Sequence, residues 1–117
     1  MNETAPPAYT GFEVKLEYSP LAFIYGLFPV FVVINGTTIP AQWGTQFYPA
    51  VPGRYHLACY MNYLITKQAG INVVAVDLSP GQVIRVTWKA PHVVFMKGPM
   101  RWEVIAGPQA GYGSESR

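Results

Sequence analysis

Short strand-like runs separated by Pro-Gly and Asn-Gly turns are the feature that most limits what this chain can fold into. Two of the runs, residues 52–60 and 80–88, begin with the same Pro-Gly pair. Proline presets φ and glycine accepts positive φ, so this pair reverses the chain at low cost. A third run between them, residues 71–78, is rich in β-branched side chains. We predict that the three runs form a β-meander.

Other short runs extend this all-β pattern. Residues 12–18 alternate apolar and polar side chains, which predicts a strand with one exposed face. Residues 30–34 are apolar at every position, as in a central strand that is covered on both faces. The pair Asn35-Gly36 then predicts a tight hairpin, and Pro40 in the returning run indicates an edge strand.

The spacing of these runs predicts the fold class. Seven or eight short strands, with a turn about every ten residues, are typical of a small β-sandwich or a partly open barrel, and we predict a single small antiparallel β-sandwich of the Ig-like kind. Ser19 before Pro20 predicts a short helical turn over residues 20–28. The expected organisation is a flexible arm at 1–10, the sandwich domain at 11–106 and a disordered tail at 107–117.

The chain carries little charge for its length. Half of its 117 residues are apolar and only 12% are charged, against about 25% in an ordinary soluble domain. A surface so poor in charge favours contact with a partner or a membrane. The basic residues are scattered along the sequence, which argues against a nucleic-acid partner.

The expected location is the cytoplasm. A single cysteine, Cys59, allows no internal disulfide and favours a reducing compartment. The first residues lack the basic start and apolar run of a signal peptide. The apolar stretch at 21–34 is 14 residues long, which is too short to span a bilayer as a helix.

The sequence shows no recognisable catalytic, metal or cofactor site. His56 and Cys59 lie on opposite faces of one predicted strand, so they cannot form a nucleophile and base pair. No histidine or cysteine spacing is typical of zinc, and no glycine-rich phosphate motif occurs. We expect no cofactor and no enzymatic activity. One alternative is a small apolar-ligand carrier, with a cavity lined by Trp43, Trp88 and Trp102.

Counting chain reversals gives the predicted sandwich two unlike ends. The Asn-Gly and Pro-Gly turns fall at one end, and the connections at 19–28, 43–46, 61–70 and 90–99 fall at the other. This second end collects apolar side chains with Lys89 and other basic residues around them. The predicted interaction surface consists of Leu21, Phe23, Ile24, Tyr25, Tyr63, Leu64, Ile65, Phe95, Met96, Lys67, Lys97 and Arg101.

Three interpretations of this surface stay open. A protein interface favours aromatic side chains, methionine and arginine, and self-association would also cover exposed strand edges. An anionic membrane surface would bind the apolar and basic side chains together. Alternatively, these connections fold back over the core and shield it. The sequence therefore predicts a non-catalytic module that binds a protein partner or itself, with peripheral membrane attachment as the alternative.

Five motifs carry a resemblance to known proteins. They are Val33-Ile34-Asn35-Gly36, Trp43-Gly44, Val51-Pro52-Gly53-Arg54-Tyr55-His56, Ser79-Pro80-Gly81-Gln82-Val83 and Lys89-Ala90-Pro91. With them, residues 12–100 resemble a family of small actinobacterial proteins of unknown function. Residues 30–88 also resemble the PEGA-type β-domain, where a hairpin is followed by Pro-Gly and a strand. Neither family has catalytic residues that map onto this chain, so the resemblance implies a non-enzymatic, surface-associated β-module.

Overall fold

The computed structural model describes residues 10–93 and 95–107 and the backbone of residues 112–114. These residues form nine strands and one short helical segment. In chain order the elements are β1 Gly11–Glu17, the 3₁₀ segment Pro20–Leu27, β2 Val30–Ile34, β3 Thr37–Ala41, β4 Gly44–Pro49, β5 Gly53–Tyr63, β6 Thr66–Leu78, β7 Val83–Lys89, β8 Met100–Ala106 and β9 Tyr112–Ser114. The predicted arm lies outside the described residues except for Thr10.

Two sheets enclose the core. Sheet 1 has the strand order β4-β1-β7-β8-β9, and sheet 2 has the order β3-β2-β5-β6. Neighbouring strands run antiparallel except β1 and β7, which are parallel. Side chains that alternate inward, such as Phe12, Val32 and Leu57, are fully buried between the sheets. The prediction of a small all-β sandwich is confirmed, although the strands number nine instead of seven or eight among the described residues.

Three local signals have the predicted effect. Asn35 and Gly36 have φ values of 47° and 85°, and two positive values are what a type I′ hairpin turn requires. Pro40 lies in β3, an edge strand of sheet 2, where its missing N–H does not weaken the interior of the sheet. The Oγ of Ser19 accepts a hydrogen bond from the N–H of Leu21 at 3.2 Å, which caps the 3₁₀ segment.

Strands β5, β6 and β7 do not form the predicted meander. β5 and β6 are paired, but β7 lies in sheet 1 between β1 and β8. The N–H of Gln82 donates to the carbonyl of Ser79 at 3.1 Å, and the N–H of Ser79 donates to the side-chain oxygen of Gln82 at 2.9 Å. A Pro-Gly turn reverses the chain between sheets as well as within one, so the turn residues alone do not distinguish the two.

Residues 61–70, predicted as a connection, belong mostly to strands. β5 and β6 extend into them from both sides and leave only residues 64–65 as a turn. Register shifts on either side of Met61 and positive φ values at Leu64 and Gln68 interrupt the two-residue alternation. Because bulges of this kind break the period, the sequence pattern did not indicate strands there.

The end of the described chain also differs from the prediction. Tyr112–Ser114 pairs with β8 as β9, so this part of the predicted disordered tail is a strand. Its glycine-rich and serine-rich neighbourhood has no alternation, and the pairing depends on β8 being present. The rest of the tail beyond residue 107 lies outside the described residues.

The strand register places the longer connections at one end of the sandwich. β1 and β7 both end there, because Glu17 lies beside Lys89 in their parallel pairing. β2 begins there, because Val30 pairs with Met61 near the end of β5. The Asn-Gly turn lies at the opposite end. The first end is termed the apolar pole, and it comprises residues 19–29, 62–67 and the described part of 90–99.

Candidate interaction surface at the apolar pole

Three connections present exposed apolar side chains at the apolar pole. Leu21 in the 3₁₀ segment is 91% exposed, Ile65 in the β5–β6 turn is 95% exposed, and Phe95 in the 90–99 loop is 85% exposed. Burying one such side chain contributes roughly 1.5–3 kcal/mol, so a partner that covers them gains free energy. The full set, termed the exposed tips, is Leu21, Phe23, Ile24, Leu27, Leu64, Ile65, Val93, Phe95 and Met96.

Most of the predicted surface residues are exposed, and two are not. Tyr25 is buried and Tyr63 is half-buried, whereas the other ten predicted residues are exposed. Leu27 was not predicted, yet it is 81% exposed. The signal for it was present, because Leu27 belongs to the same unbroken apolar run as Leu21 and Phe23.

Tyr25 and Tyr63 connect the segments that carry the exposed tips. Their rings pack edge to face with centroids 5.1 Å apart, and Phe28 packs on Tyr63 at 4.7 Å. The Tyr25 hydroxyl also donates to the carbonyl of His92 at 3.4 Å. These contacts join the 3₁₀ segment to the β5–β6 hairpin and to the 90–99 loop, so the three connections form one surface.

The 90–99 loop is fixed to sheet 2 by its second half. The N–H of Gly98 donates to the carbonyl of Gly70 at 2.8 Å, and the buried side chain of Asn72 donates to the carbonyl of Gly98 at 3.0 Å. The indole N–H of Trp88 donates to the same Gly70 carbonyl at 2.9 Å. The loop is therefore held in place beside β6.

Leu64 has a backbone conformation that leucine rarely adopts. Its φ of 54° lies in the left-handed region, which costs a residue other than glycine about 1–2 kcal/mol. The side chain is 67% exposed, so burial does not offset this cost. An exposed, strained leucine at a turn where glycine would fit indicates a side chain that serves contact with something else.

The charged side chains form two groups, which are ion pairs along the sides of the sandwich and cations at or next to the apolar pole. Every carboxylate that the structure describes is ion-paired: Glu13 and Glu103 with Arg85, Glu17 with Lys15, and Asp77 with Arg54. The remaining cations within the described ranges have no acidic partner there. They are Lys67, Lys89, Lys97 and Arg101, and they lie in the pole or at the strand ends next to it. The pole is therefore a region of positive charge.

Sheet 2 has a second apolar surface on its outer face. β2 was predicted to be covered on both faces, but Phe31 and Val33 are half-exposed, and Phe31 stacks on Tyr60 at 5.1 Å. The apolar side chains on this face are less exposed than most of the exposed tips, since Ile71 is 40% exposed and Val73 is 37% exposed. The apolar pole is therefore the stronger candidate.

Within the described ranges, no three or more His, Cys, Asp or Glu side chains are placed to hold a metal ion. Cys59 is buried in the core and His56 is exposed on the outer face of sheet 2, so the two point to opposite sides. Trp88 is fully buried and stacks on Trp43 with ring centroids 6.1 Å apart, so these rings fill space that the carrier alternative assigned to a ligand. No helix in the described part of the chain has the length and apolar character needed to span a membrane.

Cys59 makes the stability of the fold sensitive to alkaline pH. Burial raises the pKa of its thiol from 9.0 to about 12. Above pH 9 the unfolded chain releases the thiol proton while the folded chain retains it, so stability falls as pH rises through this interval. We expect the free energy of unfolding, measured in urea, to be about 1 kcal/mol lower at roughly pH 10 than at roughly pH 8.5. Cys59→Ala should lose this part of the pH dependence, and an unchanged dependence would contradict a buried thiol.

Comparison with known proteins does not assign the chain to a family. No family model matches it, and neither the curated proteins nor the solved structures give a significant match. The resemblance to the actinobacterial family and to the PEGA-type domain therefore stays a prediction from sequence motifs. The geometry and charge of the apolar pole are the basis for a functional assignment.

Proposed function

We propose that this chain is a non-catalytic interaction module that docks onto an anionic membrane surface through the apolar pole. One observation carries this proposal. The exposed tips lie at the same end of the sandwich as the four cations that have no acidic partner in the described chain. Apolar side chains enter the boundary between head groups and acyl chains, and basic side chains attract anionic lipids. Both effects act at the same surface, so their free energies add.

Charge and shape favour lipid over a second copy of the chain. Two apolar poles in contact would bring together the cations of both copies, which is unfavourable. Several exposed tips protrude from this one surface, and a fluid bilayer adapts to such protrusions, whereas a protein partner needs a matching pocket for each. A nucleic-acid backbone would satisfy the cations and leave the apolar tips in water. An anionic bilayer accommodates both features.

The expected strength of attachment follows from these contributions. Each inserted tip adds roughly 1.5–3 kcal/mol, and each basic side chain near an anionic surface adds about 1 kcal/mol. Three inserted tips and four cations would therefore contribute on the order of 10 kcal/mol. The entropy cost of association reduces this value. The result is reversible attachment that weakens as salt concentration rises.

We expect the protein to float with vesicles of phosphatidylcholine mixed with phosphatidylglycerol, and not with vesicles of phosphatidylcholine alone. The double substitution Phe23→Ser and Phe95→Ser should lower the vesicle affinity by about a hundredfold or more, because two phenylalanine side chains lose their burial in the bilayer. Both side chains are exposed in the free protein. The urea midpoint should therefore change little.

Two further variants control for loss of fold. Val51→Ser replaces an exposed apolar side chain at the opposite end of the sandwich and should bind vesicles normally. Leu64→Gly relieves the positive φ, so it should raise stability by up to about 1 kcal/mol while it weakens binding. A protein that becomes more stable and binds less cannot have lost binding through unfolding. Flotation that does not depend on anionic lipid or on Phe23 and Phe95 would contradict the proposal.

A further inference from the structure

A pocket of about 290 Å³ opens at the apolar pole where the chain leaves β7. The residues that line it include Lys89, His92 and Lys97, and most of the lining surface is apolar, with residues such as Val93 and Met96 in it. No carboxylate belongs to the lining residues that the structure describes. The volume corresponds to about ten water molecules in the liquid, so a phosphate ester of a small alcohol fits.

The wall of the pocket is fixed by the backbone around it. The N–H of Lys89 donates to the carbonyl of Pro99 at 3.0 Å, which closes the base of the loop. The carbonyl of His92 accepts a hydrogen bond from the hydroxyl of Tyr25, and the N–H of Met96 donates to the carbonyl of Val93 at 2.9 Å. Because these groups are already placed, binding a ligand orders little of the chain.

The basic residues among the lining suit an anionic phosphate. A lysine ammonium group binds phosphate as a point charge, and a histidine imidazole can donate an N–H. Glu17 lies beside Lys89 in the register of β1 and β7, but its carboxylate pairs with Lys15 at 3.1 Å. The ammonium groups of Lys89 and Lys97 thus have no acidic partner among the residues described.

We propose that this pocket binds the phosphate of a glycerophospholipid head group, while the acyl chains of that lipid lie against Met96 and the neighbouring exposed tips. The inference rests on the proposed membrane docking and names the lipid group that the docking surface recognises.

The test uses the full chain and sn-glycerol 3-phosphate as a soluble probe of the head group. In ¹H–¹⁵N spectra, the probe should shift the amide signals of Lys89, His92 and Lys97 and leave that of Gly36 unchanged. The double substitution Lys89→Gln and Lys97→Gln should weaken probe binding tenfold or more. Lys67→Gln removes the same kind of charge from the pole but outside this pocket. It should bind the probe normally.

The outcomes separate this inference from the proposed function. If the protein binds anionic vesicles but not the probe, or if the Lys67→Gln variant loses as much probe affinity as the double variant, the pocket assignment is wrong and membrane docking stands. If the protein binds the probe but not vesicles, the ligand is a free phosphate ester, and both the lipid assignment and the docking proposal fail. Loss of probe affinity in the double variant alone, together with vesicle binding by the parent, supports the inference.

Discussion

Trp88→Ala is expected to lower the free energy of unfolding by about 3–5 kcal/mol. The side chain is fully buried, stacks on Trp43 and donates its indole N–H to the carbonyl of Gly70. Its removal leaves a large cavity and a buried carbonyl without that donor. The loss is a large share of the roughly 5–15 kcal/mol that stabilises a domain of this size. Urea denaturation followed by circular dichroism measures it.

Two variants separate the contributions of this side chain. Trp88→Phe keeps most of the packing but removes the N–H, so it should cost about 1–3 kcal/mol. Trp102→Ala removes a tryptophan that is only half-buried in β8 and should cost less than Trp88→Ala. Equal losses for Trp88→Ala and Trp102→Ala would show that Trp88 does not occupy the core as described.

Gly70→Ala is expected to cost about 2–5 kcal/mol, and Gly36→Ala only about 1–2 kcal/mol. Both glycines have positive φ, 71° at Gly70 and 85° at Gly36. A Cβ at Gly70 would lie 2.5 Å from Cδ of Pro91 and 3.0 Å from Cζ2 of Trp88, whereas at Gly36 it would have no neighbour within 4 Å. The second substitution therefore measures the backbone strain alone.

The difference in stability between the two alanine variants measures the contact between β6 and the 90–99 loop. Gly70→Ala pushes Pro91 away, so amide signals of the described part of the loop should shift and vesicle binding should weaken. Gly36→Ala changes the opposite end of the sandwich and should leave vesicle binding unchanged. Equal destabilisation by the two substitutions would mean that the loop is not packed against Gly70.

Turn chemistry made the strands predictable, but not their pairing. The effects of Asn35-Gly36 and of Pro40 are confined to the backbone nearby, so the sequence was enough to predict the hairpin and the edge strand. The parallel pairing of β1 with β7 joins Gly11 to Val83, and no local pattern specifies a partner so distant in the chain. For the same reason the predicted meander was wrong.

The same limit applies to the candidate surface. An apolar side chain in a connection does not lie on the inward face of a strand. Exposed tips such as Phe23 and Phe95 could therefore be predicted. The burial of Tyr25 could not be predicted, because it depends on contacts with Tyr63 and with the carbonyl of His92, which are distant in the sequence. The grouping of the cations at the apolar pole could not be predicted either. Lys67 and Lys97 are far apart in sequence, and the acids are neutralised by cross-strand pairs such as Glu13 with Arg85.

The position of β1 between β4 and β7 has a consequence for synthesis in the cell. Each residue of β1 pairs with a β7 residue that is synthesised 72 positions later, as Gly11 pairs with Val83. At the usual rate of translation, β7 is therefore made roughly 4–14 s after β1. Meanwhile Phe12, Val14 and Leu16, which are fully buried in the finished domain, stay in contact with water or with a chaperone. The nascent chain is thus exposed to aggregation until β7 has left the ribosome.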